Sequence, residues 1–539
     1  MSDSASAIAK QLERTARVQA QASDPAASVW VSANAGTGKT HVLKMRVLRL
    51  LLAGVEPQKI LCLTYTKAAA SEMSKRVFDD LAEWVTLPDT KLSGNLADLL
   101  HRPATAEELS RARTLFTASI ETPGGFKVQT IHAFAERLLQ RFPLEAGVTP
   151  GFAILDDVEA KKLRRQAIDD VLTQACRAST SPLGLALNCA VAHAADDRFD
   201  QILGEALTHW AWIEDGVRLT GESEGFPEAE AMLRRHFSVR EGVSSDMLAE
   251  KIGELLPNAD CDRLAGLFQQ GSTTDQKRAG ALREIATAGA ARSRAQSMYD
   301  LLIDSKGEPR KSFATKKTAQ EHPETERALA RARDDFVPLW NELKGCETVE
   351  ATMALYRLAD AVLQKYGEAK ARRAVLDFED LIKRTKNLLA SRGSAEWVLY
   401  KLDSGLDHLL VDEAQDTSSS QWQIIMGLAD EFFAGAGAHD VPRTIFAVGD
   451  EKQSIYSFQG AAPERFAAIG KGFAELAGGA GAPFHRVDLN VSFRTTAPVL
   501  AAVDTVFADE TLTPGVPAGA DGLKHIAKRI GQAGSVEVW

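Results

Sequence analysis

Cysteine is scarce. The five in 539 residues, Cys62, Cys176, Cys189, Cys261 and Cys346, stand far apart with no Cys-x-x-Cys pair. That spacing argues against a disulfide framework, a zinc site or an iron–sulfur cluster. Long apolar runs are missing too, so no stretch approaches the length of a membrane span. The opening residues, MSDSASAIAKQLERTARVQAQ, lack the apolar centre of a secretory signal. Together these absences point to a cytoplasmic protein. An excess of positive charge is also absent, because the net charge is −10. A chain that coats nucleic acid electrostatically needs the opposite sign. Any nucleic-acid contact here must rest on local positive charge, aromatic rings and hydrogen bonds. What remains is ordinary for a globular chain, with 45% hydrophobic and 25% charged residues. The length calls for several domains.

The most informative stretch is Ala33-Asn34-Ala35-Gly36-Thr37-Gly38-Lys39-Thr40. It ends in Gly-Lys-Thr, with Ala33 where a phosphate-binding loop usually has Gly. The apolar segment Ser28–Ser32 precedes it and reads as a buried strand. A periodic apolar helix follows from His41 to Leu52. Strand, glycine-rich turn and helix form the context this motif requires. Gly36 and Gly38 let the backbone turn its N–H groups toward phosphate oxygens. The helix N-terminus adds partial positive charge at the same place. Lys39 is placed for the β- and γ-phosphates of ATP, and the Thr40 hydroxyl for Mg²⁺.

Along the chain, residues 1–27 read as a helix ending in a turn at Asp24-Pro25. Lys59–Thr64 is a second strand. Ala68–Val85 is a helix with Met73, Val77, Leu81 and Val85 on one face. Residues 86–126 read as polar and irregular. Phe126–Thr130 is a third strand, and Ile131 opens another helix. Two βα units in succession predict a parallel sheet. From about 150 to 370 strand signals vanish and helical patterns dominate, predicting a mostly helical insertion. It holds two basic clusters: Lys161, Lys162, Arg164 and Arg165, and Lys306, Arg310, Lys311, Lys316 and Lys317. Each is either a solvated face or a DNA-backbone contact. His408–Val411 and Thr444–Val448 are further strands. Arg486–Leu489 reads as the first strand of another domain, followed by a helix over Ala497–Phe507 and a closing strand over Ser535–Trp539.

A hydrolysing phosphate-loop site needs one carboxylate for Mg²⁺ and another to orient water. Asp412 and Glu413, at the end of the His408–Val411 strand, supply both. The ordered segments ANAGTGKT, LTYTKAAASEMSKRV, TIHAF, VDEAQDT, VGDEKQSIYSFQGA and LNVSFRT resemble the motifs of the UvrD/Rep/PcrA-like superfamily 1 DNA helicases. SVWVSANAGTGKTHVL, VGDEKQSIYSFQGAAP and FAILDDVEA are similar, within that superfamily, to AddA-like subunits of bacterial AddAB helicase–nucleases. The resemblance covers residues 19–154 and 377–500; the insertion contributes little beyond SKGEPRK.

The resemblance implies roles position by position. Gln19 corresponds to a glutamine that reads adenine, with Gln21 as the alternative, and His41 stands where relatives often carry an Arg near the base. Asp412 corresponds to the Mg²⁺ carboxylate and Glu413 to the catalytic base. Gln453 corresponds to the γ-phosphate sensor, Arg494 to a cation that reaches the γ-phosphate, and Phe493 to an adenine-stacking ring. Thr64, Tyr65, His132, Tyr456 and Phe458 fall at positions that touch single-stranded DNA. Gln459 replaces an Arg usual among relatives.

The expected fold is α/β: a RecA-like motor domain in two parts, 1–149 and 371–480, a helical insertion over 150–370, and the start of a second RecA-like domain over 481–539. The expected activity is that of an ATP-dependent DNA helicase moving 3′ to 5′, acting on single-stranded and duplex DNA ends in double-strand-break repair and recombination. The implied partner is an AddB-like subunit. No counterpart of the later helicase motifs follows residue 500, nor does a nuclease domain, so the sequence reads as an N-terminal fragment. A repair helicase without a nuclease, and an ATP-binding module that never translocates, are the alternatives.

Overall fold

The computed structural model describes residues 13–508, apart from 124, 195–196, 209–225, 392–396, 399–400, 402–404, 434–441 and 455–464, together with 525–529 and 531–537. The chain divides into two compact units. One joins Met1–Leu155 to Ala374–Trp539, and the other is Asp156–Arg373.

The first unit is built on a six-stranded sheet. Its strands are β1 (Ser28–Ala33), β2 (Ile60–Thr64), β3 (Lys127–Thr130), β6 (His408–Val411), β7 (Thr444–Gly449) and β8 (Phe484–Leu489), in the order β3-β2-β6-β7-β1-β8. Every neighbouring pair is parallel. Parallel strands covered on both faces read as near-continuous apolar runs, and β1, β2, β6 and β7 do. Their side chains alternate between two cores. Trp30, Leu61, Leu63, Leu409, Val411 and Ile445 face one. Val29, Val31, Cys62, Leu410, Phe446 and Val448 face the other. Helices α1 (Lys39–Leu52) and α2 (Lys67–Thr86) supply Val42, Leu43, Met73 and Val77 to the second core.

Residues 86–126 are not irregular. They form α3 (Asp89–Leu100) and α4 (Ala106–Glu121). Leu92, Leu96 and Leu99 recur at helical spacing and are buried, while Thr105 and Glu108 cap α4 reciprocally. Helix α5 (Ile131–Arg141) joins the first core, as do the later helices α6 (Phe378–Ala390), α7 (Ser419–Phe433) and α8 (Phe466–Gly479). Trp30 centres that core, with ring centroids 4.6 Å from Phe466 and 5.5 Å from Trp422.

Arg486–Leu489, expected as the first strand of another domain, joins the six-stranded sheet. It lies in β8, which pairs along β1 from Ser28↔Phe484 to Ala33↔Leu489 and completes the sheet at its edge. The chain leaves the sheet only at Asn490. Next come β9 (Val491–Thr496), α9 (Ala497–Val506) and β10 (Ile526–Arg529), with β10 paired to β9. The closing strand is not found over residues 532–537, which carry no regular structure. At the junction with the insertion, β4 (Ala153–Ile154) and β5 (Val375–Leu376) pair in parallel. The Ala153 and Leu155 N–H groups donate to the carbonyls of Ala374 and Leu376.

Among the described residues the second unit has only helices as named elements. The longest, Pro323–Arg373, runs 51 residues and tolerates Pro338 within it. Its core gathers Phe268, Phe313, Phe336, Leu282 and Met298. The Lys306–Lys311 stretch is a tight turn closed by a bridge between Ile303 and Pro309. Arg310 there is tied to the Ile303 carbonyl at 2.8 Å. No described helix of either unit is long and apolar enough to cross a membrane.

Candidate active site

The loop joins β1 to α1 at the carboxyl end of the sheet. Gly36 and Gly38 hold φ angles of 71° and 91°, the left-handed region that glycine enters without steric cost. Thr37 braces the turn, its hydroxyl donating to the Asn34 carbonyl at 2.8 Å. Gly38 precedes the first residue of α1 and brings no side-chain cap, and the first turn has no acidic residue. Its N–H groups are therefore open to an anion. Ala33 sits at the end of β1, and the Asn34 N–H donates to the Leu489 carbonyl of β8. Ala35 and Thr40 lie on either side of the turn.

Lys39 points across the sheet's end. Its ammonium donates to Glu413 Oε2 at 2.9 Å and to Gln453 Oε1 at 3.2 Å. Two residues, 374 and 414 positions further along the chain, thus converge on one nitrogen. Glu413 is the second residue after β6 and has φ 47°, one of four non-glycine residues with positive φ among those described. That conformation costs a β-carbon residue roughly 1–2 kcal/mol and tips the carboxylate toward the loop. Asp412, next to it, is buried. Burial and the Glu413 charge push its carboxyl up to about 6, opposed by the Glu413 N–H and by Lys39. Among the described residues no group of three or more His, Cys, Asp or Glu could hold a metal alone. Asp412 and the Thr40 hydroxyl are hard oxygen donors, the kind that hold Mg²⁺ jointly with phosphates and water.

The base-reading candidates divide. Gln19 is partly buried and its amide nitrogen lies 3.7 Å from where a Gly38 Cβ would stand, whereas Gln21 is exposed. His41 follows on α1; burial and Lys44 hold its imidazole below the ordinary value, against the pull of Asp80. From β9, the Phe493 N–H donates to the Gly36 carbonyl at 2.8 Å. A Cβ on Gly36 would lie 2.7 Å from Arg494 Cβ. The backbone of Phe493 and Arg494 is therefore seated on the loop, and the exposed Arg494 side chain starts beside it. Lys528 covers the Phe493 ring at 4.8 Å.

Of the expected DNA contacts, Thr64, Tyr65 and His132 lie at the same end of the sheet. Thr64 closes β2, its hydroxyl donating to the Thr66 carbonyl, and Tyr65 follows half-buried. His132 is the second residue of α5; burial lowers its imidazole. Its ring meets Phe378 edge to face, with centroids 5.5 Å apart and planes at 82°. Phe378, 41% exposed, was not marked by any sequence signal, because a lone aromatic after an acidic cap looks like core. Tyr456, Phe458 and Gln459 lie outside the described residues. Gln415 is a second unmarked residue. Its side chain is buried, donates to Glu413 Oε2 at 2.8 Å and accepts from the Asp450 N–H at 2.9 Å. A cavity of about 200 Å³ lined by Ser28, Phe432, Arg443 and Thr444 lies at the opposite end of β1 and contains none of these residues.

A profile of the UvrD/REP helicase N-terminal domain family matches residues 14–474. The chain is 27% identical over 528 residues to an ATP-dependent helicase/nuclease subunit of Pelotomaculum thermopropionicum, covering 90% of this chain and 38% of that protein. It is 28% identical over 536 residues to the protein of the same name from Desulfitobacterium hafniense, covering 91% and 35%. The Lactiplantibacillus plantarum protein of that name is 27% identical over 463 residues, covering 81% and 35%. The chain thus spans less than two-fifths of the length of these relatives.

Proposed function

Because the chain belongs to the UvrD/REP helicase N-terminal domain family, we propose that it carries the ATP-hydrolysing site of a DNA helicase. The observation that carries this reading is the convergence of Glu413 and Gln453 on Lys39. In the proposed reaction the open N–H groups of the loop and the first turn of α1 receive the phosphates. Lys39 moves from its two side-chain partners to the β- and γ-phosphate oxygens. Glu413 takes a proton from water as the water oxygen bonds to the γ-phosphorus. The bond to the β,γ-bridging oxygen breaks, releasing ADP and phosphate. Mg²⁺ held by Thr40 and Asp412 would neutralise phosphate charge. Arg494 adds positive charge from the β9 side, and Gln19 and Phe493 take the adenine. Gln453 reports the γ-phosphate.

Thr64, Tyr65 and His132, with Tyr456 and Phe458, take single-stranded DNA by stacking and hydrogen bonds without sequence preference. Such contacts suit a chain of net charge −10. We read residues up to Leu489 as the first motor domain, interrupted by the insertion, and residues from Asn490 as belonging to a second. The name of the relatives brings one further proposal, a role as one subunit of a helicase/nuclease; the motif resemblance adds an AddB-like partner and action at duplex ends in break repair and recombination within the cytoplasm. A duplex with a 3′ tail and one with a 5′ tail, offered to the intact protein with ATP and Mg²⁺, test the reading. Unwinding of the 3′-tailed duplex alone is expected. Unwinding of the 5′-tailed duplex, or of neither, overturns it.

A further inference from the structure

Side chains and backbone groups at the sheet's end form a closed ring. Lys39 donates to Glu413 Oε2 and to Gln453 Oε1. The Gln453 N–H donates to the Asp450 carbonyl at 2.9 Å. The Asp450 N–H donates to Gln415 Oε1, and Gln415 Nε2 returns to Glu413 Oε2. Within this ring, Gln415 joins the segment after β7 to the carboxylate after β6 without passing through Lys39.

Its amide can face only one way. Oε1 meets an N–H donor, and Nε2 meets two carboxylates, Glu413 and Asp416 at 3.3 Å. Flipping it would set a carbonyl oxygen against both carboxylates and an N–H₂ against an N–H. The site is also cut to fit: a Cβ on Gly449 would lie 2.8 Å from Gln415 Oε1. The residue is 2% exposed, so water cannot replace either contact cheaply.

Resting on the ATP-hydrolysis reading above, we infer that Gln415 is a positioning residue that holds the Glu413 carboxylate in place and couples it to the Asp450–Gln453 segment. Lys39 cannot hold Glu413 through the reaction, because the phosphates claim its ammonium. When Lys39 leaves, Gln415 is the remaining side-chain donor to Glu413 Oε2 among those identified. The same amide fixes the Asp450 N–H, three residues before Gln453. A shift of Gln453 on meeting the γ-phosphate therefore reaches the base through one rigid group. The carboxylate, already in a left-handed backbone position, keeps its aim while the lysine is elsewhere.

The test uses the intact protein with single-stranded DNA. Gln415→Glu keeps the shape and the acceptor for the Asp450 N–H but removes the donor to Glu413. Gln415→Met keeps approximate volume and removes both contacts, and serves if the added carboxylate prevents folding. Each variant is expected to lower kcat for ATP by about 10- to 100-fold, the scale of a misplaced catalytic group. KM and the dissociation constant of a fluorescent ATP analogue should stay within about threefold. In a Glu413→Gln background, adding either change should cost almost nothing more, since the group being positioned is gone. A kcat within twofold of the parent overturns the inference. So does a joint fall of kcat and affinity, or a loss that multiplies with that of Glu413→Gln. If the parent itself binds ATP but does not hydrolyse it, the hydrolysis reading is what fails.

Discussion

The Phe493 N–H donates to the Gly36 carbonyl at 2.8 Å. This bond seats β9 directly on the phosphate-loop turn, and the consequence is steric. A Cβ on Gly36 would come within 2.7 Å of Arg494 Cβ and 3.0 Å of Ser492 Oγ, at a φ of 71°. Gly36→Ala is expected to cost about 1–2 kcal/mol for the left-handed backbone alone, and to push Phe493 and Arg494 off the loop. Denaturant unfolding should show the lost stability, and ATP turnover should drop with it. Parental values for both would mean that β9 does not rest on the loop in solution.

Glu413→Gln preserves shape but gives up the proton acceptor. Nucleotide affinity should hold while turnover falls on the order of 10²–10⁴-fold, the usual contribution of a positioned base. Equilibrium binding and steady-state hydrolysis, measured on one preparation, separate the two. An equal fall in both would assign Glu413 a structural role instead.

Much of this was legible in the sequence, and the misses have physical causes. Strands β1, β2, β6 and β7 are buried on both faces, so each is an apolar run between turn residues. The loop follows from Gly36, Gly38, Lys39 and Thr40 alone. Strand β8 is different: it alternates, with Val487 and Leu489 buried between exposed Arg486 and Asp488. That pattern announces an edge strand but not which sheet it joins, since pairing with β1 spans more than 450 positions. In α3 and α4, short leucine spacings are diluted by Gly94, Asp and Ser, and so pass for loop. Gln415 lies within VDEAQDT, but nothing in that segment gives its side chain a role of its own. Its role comes from Asp450, brought beside it by the parallel pairing of β6 and β7.

His408 gives the fold an acid-sensitive point. It is buried at the start of β6 with Nδ1 2.8 Å from Thr444 Oγ1, and Arg46 donates to the same hydroxyl. Burial, then the charges of Arg46 and Lys59, lower its imidazole from 6.5 to about 3. An unfolded chain takes up that proton as pH drops below about 6.5, while the folded chain refuses it until about 3. The stability from the neutral ring is complete above the upper value and is lost as pH falls toward the lower. Urea midpoints taken between about pH 4 and pH 7.5 should decline more steeply in the parent than in His408→Gln. Parallel curves would remove His408 from the account.

Phe378 extends the proposed DNA face beyond His132. Truncating it to Ala should weaken single-stranded DNA binding by about 1–3 kcal/mol, the scale of one base stacked on a ring. Because the ring is 41% exposed, thermal stability should change little. Anisotropy of a labelled oligonucleotide reads the first, and a melting curve the second. Unchanged DNA affinity would return Phe378 to the role of a packing partner for His132.

In the proposed reaction ATP is hydrolysed at Lys39 and DNA drives the hydrolysis. Phosphate release by the intact protein, with and without single-stranded DNA, tests it most directly when run beside Lys39→Ala. DNA is expected to stimulate the parent strongly. In the variant, hydrolysis is expected near background under both conditions, because Arg494, which reaches the γ-phosphate from the β9 side, does not replace the ammonium that bridges the β- and γ-phosphates. Near-parental turnover by Lys39→Ala, or parental turnover indifferent to DNA, would contradict it.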